Sequence, residues 1–242
     1  MPLSKKEKAS KIGLRFSIRK TENTMKTVCK KNKSYKCTLK TSLNGAVYLT
    51  AILEFLASEI IKAGGNKTMN DKRKTILISD IIGGIQNDAE LNSYIFGVNT
   101  QSSKSSNFMS STCHLCPSGV SKVPSDLEKP IKDIQKEISH ENFYNLDKKR
   151  IITDVSLRKV IKSIYPKSYI KKNTFEYLVV LIQNIADSIS NLAMYLTQYL
   201  PKEKKIIDHR DIHNAMRISM PGKLAKKCLS VGTRANTIFS SY

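Results

Sequence analysis

Tryptophan is absent from the sequence, and only 7% of the residues are aromatic. Arginine is also scarce, because eight of the 41 basic residues are arginine and the rest are lysine. Lysine acts as a compact point charge, whereas arginine makes the planar, bidentate contacts that read bases and carboxylates. The composition therefore favours general binding of phosphates over detailed recognition of a base sequence.

Segments for secretion or membrane insertion are not evident in the sequence. The start, MPLSKKEKASK, has no apolar run behind its charges, so no secretory signal is predicted. The most apolar helical stretch, residues 45–66, is a poor bilayer span because four polar side chains interrupt it: Thr50, Glu54, Ser58 and Glu59. We expect no membrane partner, and we expect the five cysteines to be reduced thiols.

Acidic residues are half as frequent as basic ones. The chain has 41 Lys plus Arg against 20 Asp plus Glu, a formal net charge of +21. Proteins this basic usually have a polyanionic partner, a class that comprises DNA, RNA and anionic membrane surfaces. Residues 1–40 contain thirteen of the basic residues and two acidic ones, and residues 1–15 form a basic arm typical of phosphate-backbone binding.

Apolar residues at helical spacing predict two long helices. One apolar seam runs from Ala46 to Ala63 and is followed by Gly64-Gly65, which predicts that the helix stops there. The other runs from Phe175 to Tyr199, after the N-cap candidates Asn173-Thr174. Each buried Leu or Ile contributes about 1.5–3 kcal/mol. We expect the seams to pack on each other through Leu49, Leu53, Leu56, Ile60, Leu178, Ile182, Ile185, Ile189, Leu192 and Leu196.

The pattern around the long helices occurs twice. Ile76, Asp80 and Ile81 recur at an offset of 131 residues, and each long helix has a shorter predicted helix on either side. The shorter helices are predicted at 16–31, 79–87, 154–165 and 208–220. A duplicated unit that cannot bury its own seam suggests that the two halves pair, which predicts an all-α fold. Residues 99–150 are predicted to be a Ser-rich linker with an extra helix near 126–146.

The strings in both halves resemble core histones. GAVYLTAILEFLASEI, AGGN, KRKTI and NDAELN are similar to histone 2A, over residues 16–98. SLRKVIKSIYP and IDHRDIHNAMRISMPGKLAKKCLSVGTRANTIFSS are similar to histone 2B, over residues 151–242. The resemblance implies two histone folds paired as an intramolecular pseudo-heterodimer, as in the histone doublets of large DNA viruses of eukaryotes.

The resemblance also implies a function. Such a doublet would compact double-stranded DNA non-specifically within a nucleosome-like particle. Its partners would be DNA and a histone 3/4-like doublet or tetramer, with two copies of this chain per particle. The expected location is the host nucleus or viral factory, and the virion. No cofactor is expected.

Paired loops and first-helix N-termini are the expected DNA contacts, because they would present Lys, Arg and backbone N–H groups to phosphates. The candidates are Arg15, Arg19, Lys36, Lys40, Lys72, Arg73, Lys74, Lys167, Lys171, Lys172, Lys204, Lys205 and Arg210. Thr75 occupies the position at which histone 2A is expected to carry a minor-groove arginine, so we expect a weaker grip on DNA. For any single lysine, the alternative is an ordinary solvated surface charge.

Four carboxylates match the acidic docking surface of histone 2A: Glu54, Glu59, Asp88 and Glu90. Other expected acidic positions hold Lys62, Ala89, Lys223 and Val231, which predicts a reduced patch with weak binding to arginine-anchored partners. The alternative is that Glu54 and Glu59 simply lie on the solvent-exposed face of an amphipathic helix. Tyr199 is expected either to dock on histone 4 or to be a core tyrosine.

Metal and catalytic sites are not predicted. Cys113-His114-Leu115-Cys116 offers one C-x-x-C pair, but no second pair lies at zinc-finger spacing, so free thiols are the preferred interpretation. His140, His209 and His213 have no accompanying catalytic constellation, so no enzyme is predicted.

Two other functional classes remain open. One is a histone-fold transcription or architectural dimer that binds DNA without a histone 3/4-like tetramer. The other is a basic RNA-binding or virion scaffold protein. Only a nucleosome-like particle would protect DNA of a regular length from nuclease, so nuclease digestion distinguishes the three classes.

Overall fold

The computed structural model describes residues 12–31, 39–96, 151–199, 206–220 and 222–241. These residues are predominantly helical, which confirms the predicted helical class. The helices are α1 (Ile18–Lys31), α2 (Leu43–Asn70), α3 (Ile78–Asn87), α4 (Ala89–Phe96), α5 (Asp154–Ile164), α6 (Lys172–Tyr199), α7 (His209–Ser219) and α8 (Gly222–Ser240). Two-residue strands precede and follow each of the two long helices: β1 (Lys40–Thr41), β2 (Thr75–Ile76), β3 (Tyr169–Ile170) and β4 (Ile206–Ile207).

The order short helix, long helix, short helix occurs twice, as the sequence repeat predicts. The short strands lie where the sequence predicts only loops. The predicted boundaries of the short helices are close to the observed ones, and two of these helices begin at a side-chain cap. Thr153 accepts a hydrogen bond from the Ser156 N–H at the start of α5, and Asp208 accepts from Arg210 and Asp211 at the start of α7. The predicted helix at 126–146 lies outside the described residues.

The predicted glycine stop in the first long helix is wrong, because α2 continues through Gly64 and Gly65 to Asn70. Both glycines are buried where another element approaches the helix closely. A Cβ at Gly64 would lie 3.0 Å from the Cα of Ile81, and one at Gly65 would lie 2.6 Å from Cζ of Tyr165. The glycines therefore permit close packing and do not end the helix.

The predicted start of the second long helix is also wrong by one or two residues. Asn173 and Thr174 lie inside the first turn of α6, which begins at Lys172. The Phe175 N–H donates to the carbonyl of Lys171, at 2.9 Å, so the helical hydrogen bonds begin earlier than the N-cap candidates indicate.

The α2 helix is covered from several sides. It packs mainly on α8 and α3, also on α1 and α7, and its contact with α6 is smaller. The expected packing of α2 on the α6 seam is thus one contact among several, because a helix with buried residues on most of its circumference needs several neighbours. All ten seam residues still contribute to the core: eight are buried, and Leu192 and Leu196 are partly buried.

The two halves are interleaved around one apolar core. Helix α1 packs against α6 of the other half as well as against α2, and α5 packs against α2. Strand β1 pairs in parallel with β4, and β2 pairs in parallel with β3. Each strand pair therefore joins a loop that precedes one long helix to a loop that follows the other.

Among the described residues, the segment Lys172–Thr197 of α6 is long and apolar enough to cross a membrane by length and composition. However, 67% of its most apolar window is buried inside the protein. That burial is what a core helix of an interleaved fold requires.

Candidate nucleic-acid interface

The β2–β3 pair brings predicted phosphate-binding residues from both halves to one place. Its register aligns Thr75 with Tyr169, and the Tyr169 N–H donates to the Lys74 carbonyl at 2.9 Å. Five exposed lysines lie in or beside this pair: Lys72, Lys74, Lys167, Lys171 and Lys172. We call these lysines, together with Thr75 and Tyr169, the basic loop pair. Such a cluster of point charges suits a polyanion.

Arg73, also predicted to bind DNA, has its guanidinium engaged within the protein. Its Nη1 and Nη2 donate to the two carboxylate oxygens of Asp80, at 3.0 and 2.6 Å, and Nη2 also donates to Asp71 at 2.7 Å. The Asp80 side chain is 2% exposed, whereas that of Arg73 is 37% exposed. Arg73 therefore anchors the loop to α3, and its contact with DNA stays a prediction.

The Asp80 carboxylate is held in its charged form. Burial alone would raise its pKa, but hydrogen bonds from Arg73, the Leu77 N–H and the Thr68 hydroxyl outweigh burial and lower the pKa. The Leu77 bond, at 2.9 Å, also closes the start of α3. The same aspartate thus joins α2, the loop and α3.

Lys72 has a left-handed backbone conformation, with φ of 55°. It follows α2, and its N–H donates to the Met69 carbonyl at 2.9 Å. Helices commonly end in this way, but with glycine or asparagine at the left-handed position. A lysine there costs about 1–2 kcal/mol of backbone energy. The positively charged Lys72 therefore occupies a backbone position that favours glycine.

Lys72→Gly is expected to separate stability from DNA binding. Relief of the left-handed strain offsets the extra flexibility of glycine, so stability should stay equal or rise by up to about 1 kcal/mol. If Lys72 contacts a DNA phosphate, its removal should reduce the slope of log K against log salt by about 0.9. Urea unfolding and DNA titrations at several salt concentrations measure the two effects. Lys72→Arg should keep the slope, and an unchanged slope in Lys72→Gly would remove Lys72 from the interface.

The β1–β4 pair forms a second loop junction. The Ser42 N–H donates to the Ile207 carbonyl at 2.9 Å, beyond the paired strands. Lys40 and Arg210 are exposed here, and Arg210 lies in the first turn of α7, which Asp208 caps. The other basic residues predicted at this junction lie outside the described residues: Lys36, Lys204 and Lys205.

The region before α1 contributes two arginines. Arg19 is exposed in the first turn of α1, which contains no acidic residue. The Nη1 of Arg15 donates to Ser163 at 3.0 Å, so this side chain also links the halves. The first turn of α5 differs, because it contains Asp154 in an ion pair with Arg158. The start of α1 is therefore better suited to phosphate than that of α5.

The two carboxylates on α2 are engaged within the protein. Glu54 accepts hydrogen bonds from the backbone N–H groups of Arg15 and Phe16, at 2.6 and 3.1 Å. Glu59 pairs with Lys62, one turn later, at 2.7 Å. Glu54 thus fixes the chain before α1, and Lys62 compensates the charge of Glu59.

The two carboxylates near α4 have similar internal partners. Asp88 accepts from the N–H groups of Glu90 and Leu91, both at 3.0 Å, and so starts α4. Glu90 accepts from the N–H groups of Lys223 and Leu224, at 2.8 and 2.7 Å, and so caps α8. The sequence does not predict the contacts of Glu90, because Lys223 lies 133 positions further along the chain.

A polar junction not anticipated from the sequence lies between α2, α7 and α8. Tyr48 Oη lies 2.9 Å from Nδ1 of His213 and donates to the Leu229 carbonyl at 3.3 Å. Burial raises the pKa of Tyr48, lowers that of His213 and raises that of the Cys228 thiol to about 12. These groups are therefore expected to be neutral at pH 7, which suits packing better than acid–base chemistry.

A further unanticipated contact joins the halves at Tyr165. Its hydroxyl donates to Oδ1 of Asn66, at 2.6 Å, and to the Lys62 carbonyl, at 3.0 Å. The Tyr165 ring packs on Gly65. The only sign of this contact in the sequence is a glycine within a long helical pattern. Tyr199 ends α6, but its side chain, like Cys113 and Cys116, lies outside what the structure describes.

Among the described residues, no group of three His, Cys, Asp or Glu side chains is placed to hold a metal ion. No protein-family model matches the chain, and no solved structure matches it. The exposed lysines of the basic loop pair can bind anions through charge and hydrogen bonds.

Proposed function

We propose that the chain is a histone doublet that compacts double-stranded DNA non-specifically. In this proposal, residues 16–98 form a histone 2A-like fold and residues 151–242 a histone 2B-like fold, paired within one polypeptide. The observation that carries it is the cross-half pairing of β1 with β4 and of β2 with β3. This pairing places loops of both halves together and concentrates exposed lysines at one of the junctions.

The mechanism of binding is electrostatic. Each lysine that neutralises a phosphate releases counterions, so log K should fall with log salt by about 0.9 per phosphate contact. The basic loop pair alone offers five exposed lysines. Because few arginines support them, the complex should be sensitive to salt and indifferent to base sequence.

The proposed partners are double-stranded DNA and a histone 3/4-like doublet or tetramer, with two copies of this chain per particle. Tyr199, at the end of α6, is the proposed contact with that tetramer. The particle would belong to the host nucleus or viral factory, and to the virion. Neither a membrane, a cofactor nor an enzymatic step has a role.

The acidic surface of the particle should bind arginine-anchored partners weakly. Glu54 and Glu90 accept backbone hydrogen bonds, and Lys62 neutralises Glu59. These carboxylates have a structural function in the protein, and that internal engagement supports the proposal of a reduced docking patch.

Reconstitution with a histone 3/4-like tetramer and DNA tests the function. Nuclease digestion should leave protected fragments of regular length, about 120–147 base pairs. DNA binding without a protected fragment would favour an architectural dimer that needs no tetramer. Preference for RNA, with no protection of DNA, would favour a scaffold or RNA-binding protein. Tetramer and DNA without this chain are the matched control.

A further inference from the structure

Tyr169 is the most exposed large apolar side chain of the described residues, with 71% of its surface accessible. It lies in β3, in register with Thr75 of β2, and the backbone of Lys74 accepts its N–H at 2.9 Å. Its backbone is therefore held by the pairing while its ring is free. The hydrogen-bonded backbone fixes where the ring is attached, so the ring can move only by rotation about its own side-chain bonds.

An exposed apolar residue is ordinary by itself, since much of any protein surface is apolar. The position of Tyr169 distinguishes it. Exposed Lys167 and Lys171 lie two residues before and after it, and exposed Lys74 precedes its cross-strand partner. A ligand attracted by these lysines would meet the ring at the same time. Thr75 is too short to compete with the ring for that ligand.

We propose that the ring of Tyr169 enters the minor groove of duplex DNA while the neighbouring lysines hold phosphates. The minor groove is about 6 Å wide, which suits one side chain on a loop, whereas the major groove admits a whole helix or ribbon. Apolar side chains inserted there contact sugars and can part base steps. Tyr169 thereby adds a non-ionic contact that lysine cannot make. This inference rests on the proposed DNA-binding function.

The test compares the full-length chain with Tyr169→Ala in fluorescence-anisotropy titrations of a short duplex, over a series of salt concentrations. Tyr169→Ala should weaken binding about fivefold at every salt concentration, because partial burial of the ring in the groove contributes about 1 kcal/mol. The slope of log K against log salt should not change, because no ionic contact is lost. Tyr169→Phe should bind as wild type does, because the ring and not the hydroxyl makes the contact.

The control is Ile218→Ala, which removes another apolar side chain that is 65% exposed but lies on α7. It should bind as wild type does. Equal binding of DNA by Tyr169→Ala and wild type would overturn the inference and leave the proposed function standing. The same conclusion would follow if Tyr169→Phe bound DNA as weakly as Tyr169→Ala. A wild-type chain that binds no duplex at all would overturn both. Circular dichroism should give unchanged melting for each variant, since these side chains are exposed.

Discussion

Gly84→Ala is expected to destabilise the protein by about 3 kcal/mol, whereas Gly83→Ala, one residue earlier, is not. A Cβ at Gly84 would lie 2.5 Å from the carbonyl oxygen of Ala63 and 2.6 Å from the nitrogen of Gly64. These are backbone atoms of α2, so no side-chain rotation can relieve the overlap. The α2 and α3 helices would have to separate, which loses packing along their contact.

Gly83 is the matched control because it lies in the same helix. A Cβ there would meet the side chain of Lys67, which is flexible and can move away. Alanine also favours a helix over glycine by about 1 kcal/mol, so Gly83→Ala should leave stability unchanged or raise it by up to that amount. Urea unfolding of the full-length variants, followed by circular dichroism, measures both. Equal losses in the two variants would show that the close backbone approach at Gly84 does not determine the loss of stability.

Asp80→Asn is expected to destabilise the protein by about 2–3 kcal/mol at pH 7. The change keeps the shape of the side chain but removes the charge that pairs with Arg73 inside the structure. Breaking a fully buried pair costs about 3–5 kcal/mol, but here Arg73 is 37% exposed and keeps its contact with Asp71. Solvent and Asp71 therefore reduce the loss.

The loss should depend on pH in one direction. The folded-state pKa of Asp80 is lowered, so its stabilisation is fully present above the ordinary aspartate pKa of about 4. It disappears as pH falls through the lowered folded value, because the protonated carboxyl resembles the amide. Wild type and Asp80→Asn should thus differ fully near pH 7, begin to converge as pH falls below about 4, and become equal only below the lowered folded-state pKa.

Asp71→Asn is the control for this variant. Asp71 pairs with the same guanidinium, but its side chain is 47% exposed. Exposed pairs contribute about 0–1 kcal/mol, so Asp71→Asn should have a small effect at every pH. If Asp71→Asn were as destabilising as Asp80→Asn, or if the Asp80→Asn loss were independent of pH, the burial of Asp80 would not be the cause.

Much of the local structure is predictable from the sequence because its causes are local. Helical spacing identifies both long helices, and cap residues such as Thr153 and Asp208 mark where short helices begin. The seam residues are buried or partly buried as expected. The glycine stop fails because the same residue that weakens a helix also allows another backbone to approach it, and the sequence cannot distinguish these uses.

The candidate interface is predictable only in its composition. The lysines that follow α2 and α5 are evident from the sequence, since charge needs no partner to be recognised. The capture of Arg73 by Asp80 is harder to foresee, because it depends on the turn after α2. The exposure of Tyr169 is equally hidden, because an apolar residue in a strand is as easily buried as exposed.

The sequence by itself determined the helical class, the duplicated order of elements and the large positive charge, because composition and the spacing of near neighbours suffice for these. Only the tertiary structure decided that α8 and α3, more than α6, cover α2. It also decided that Glu54 and Glu90 cap distant backbone groups. The spacing of apolar residues predicts that a helix face is buried, but it does not identify the element that packs on that face. That element is determined by side-chain shapes that come into contact only after the chain has folded.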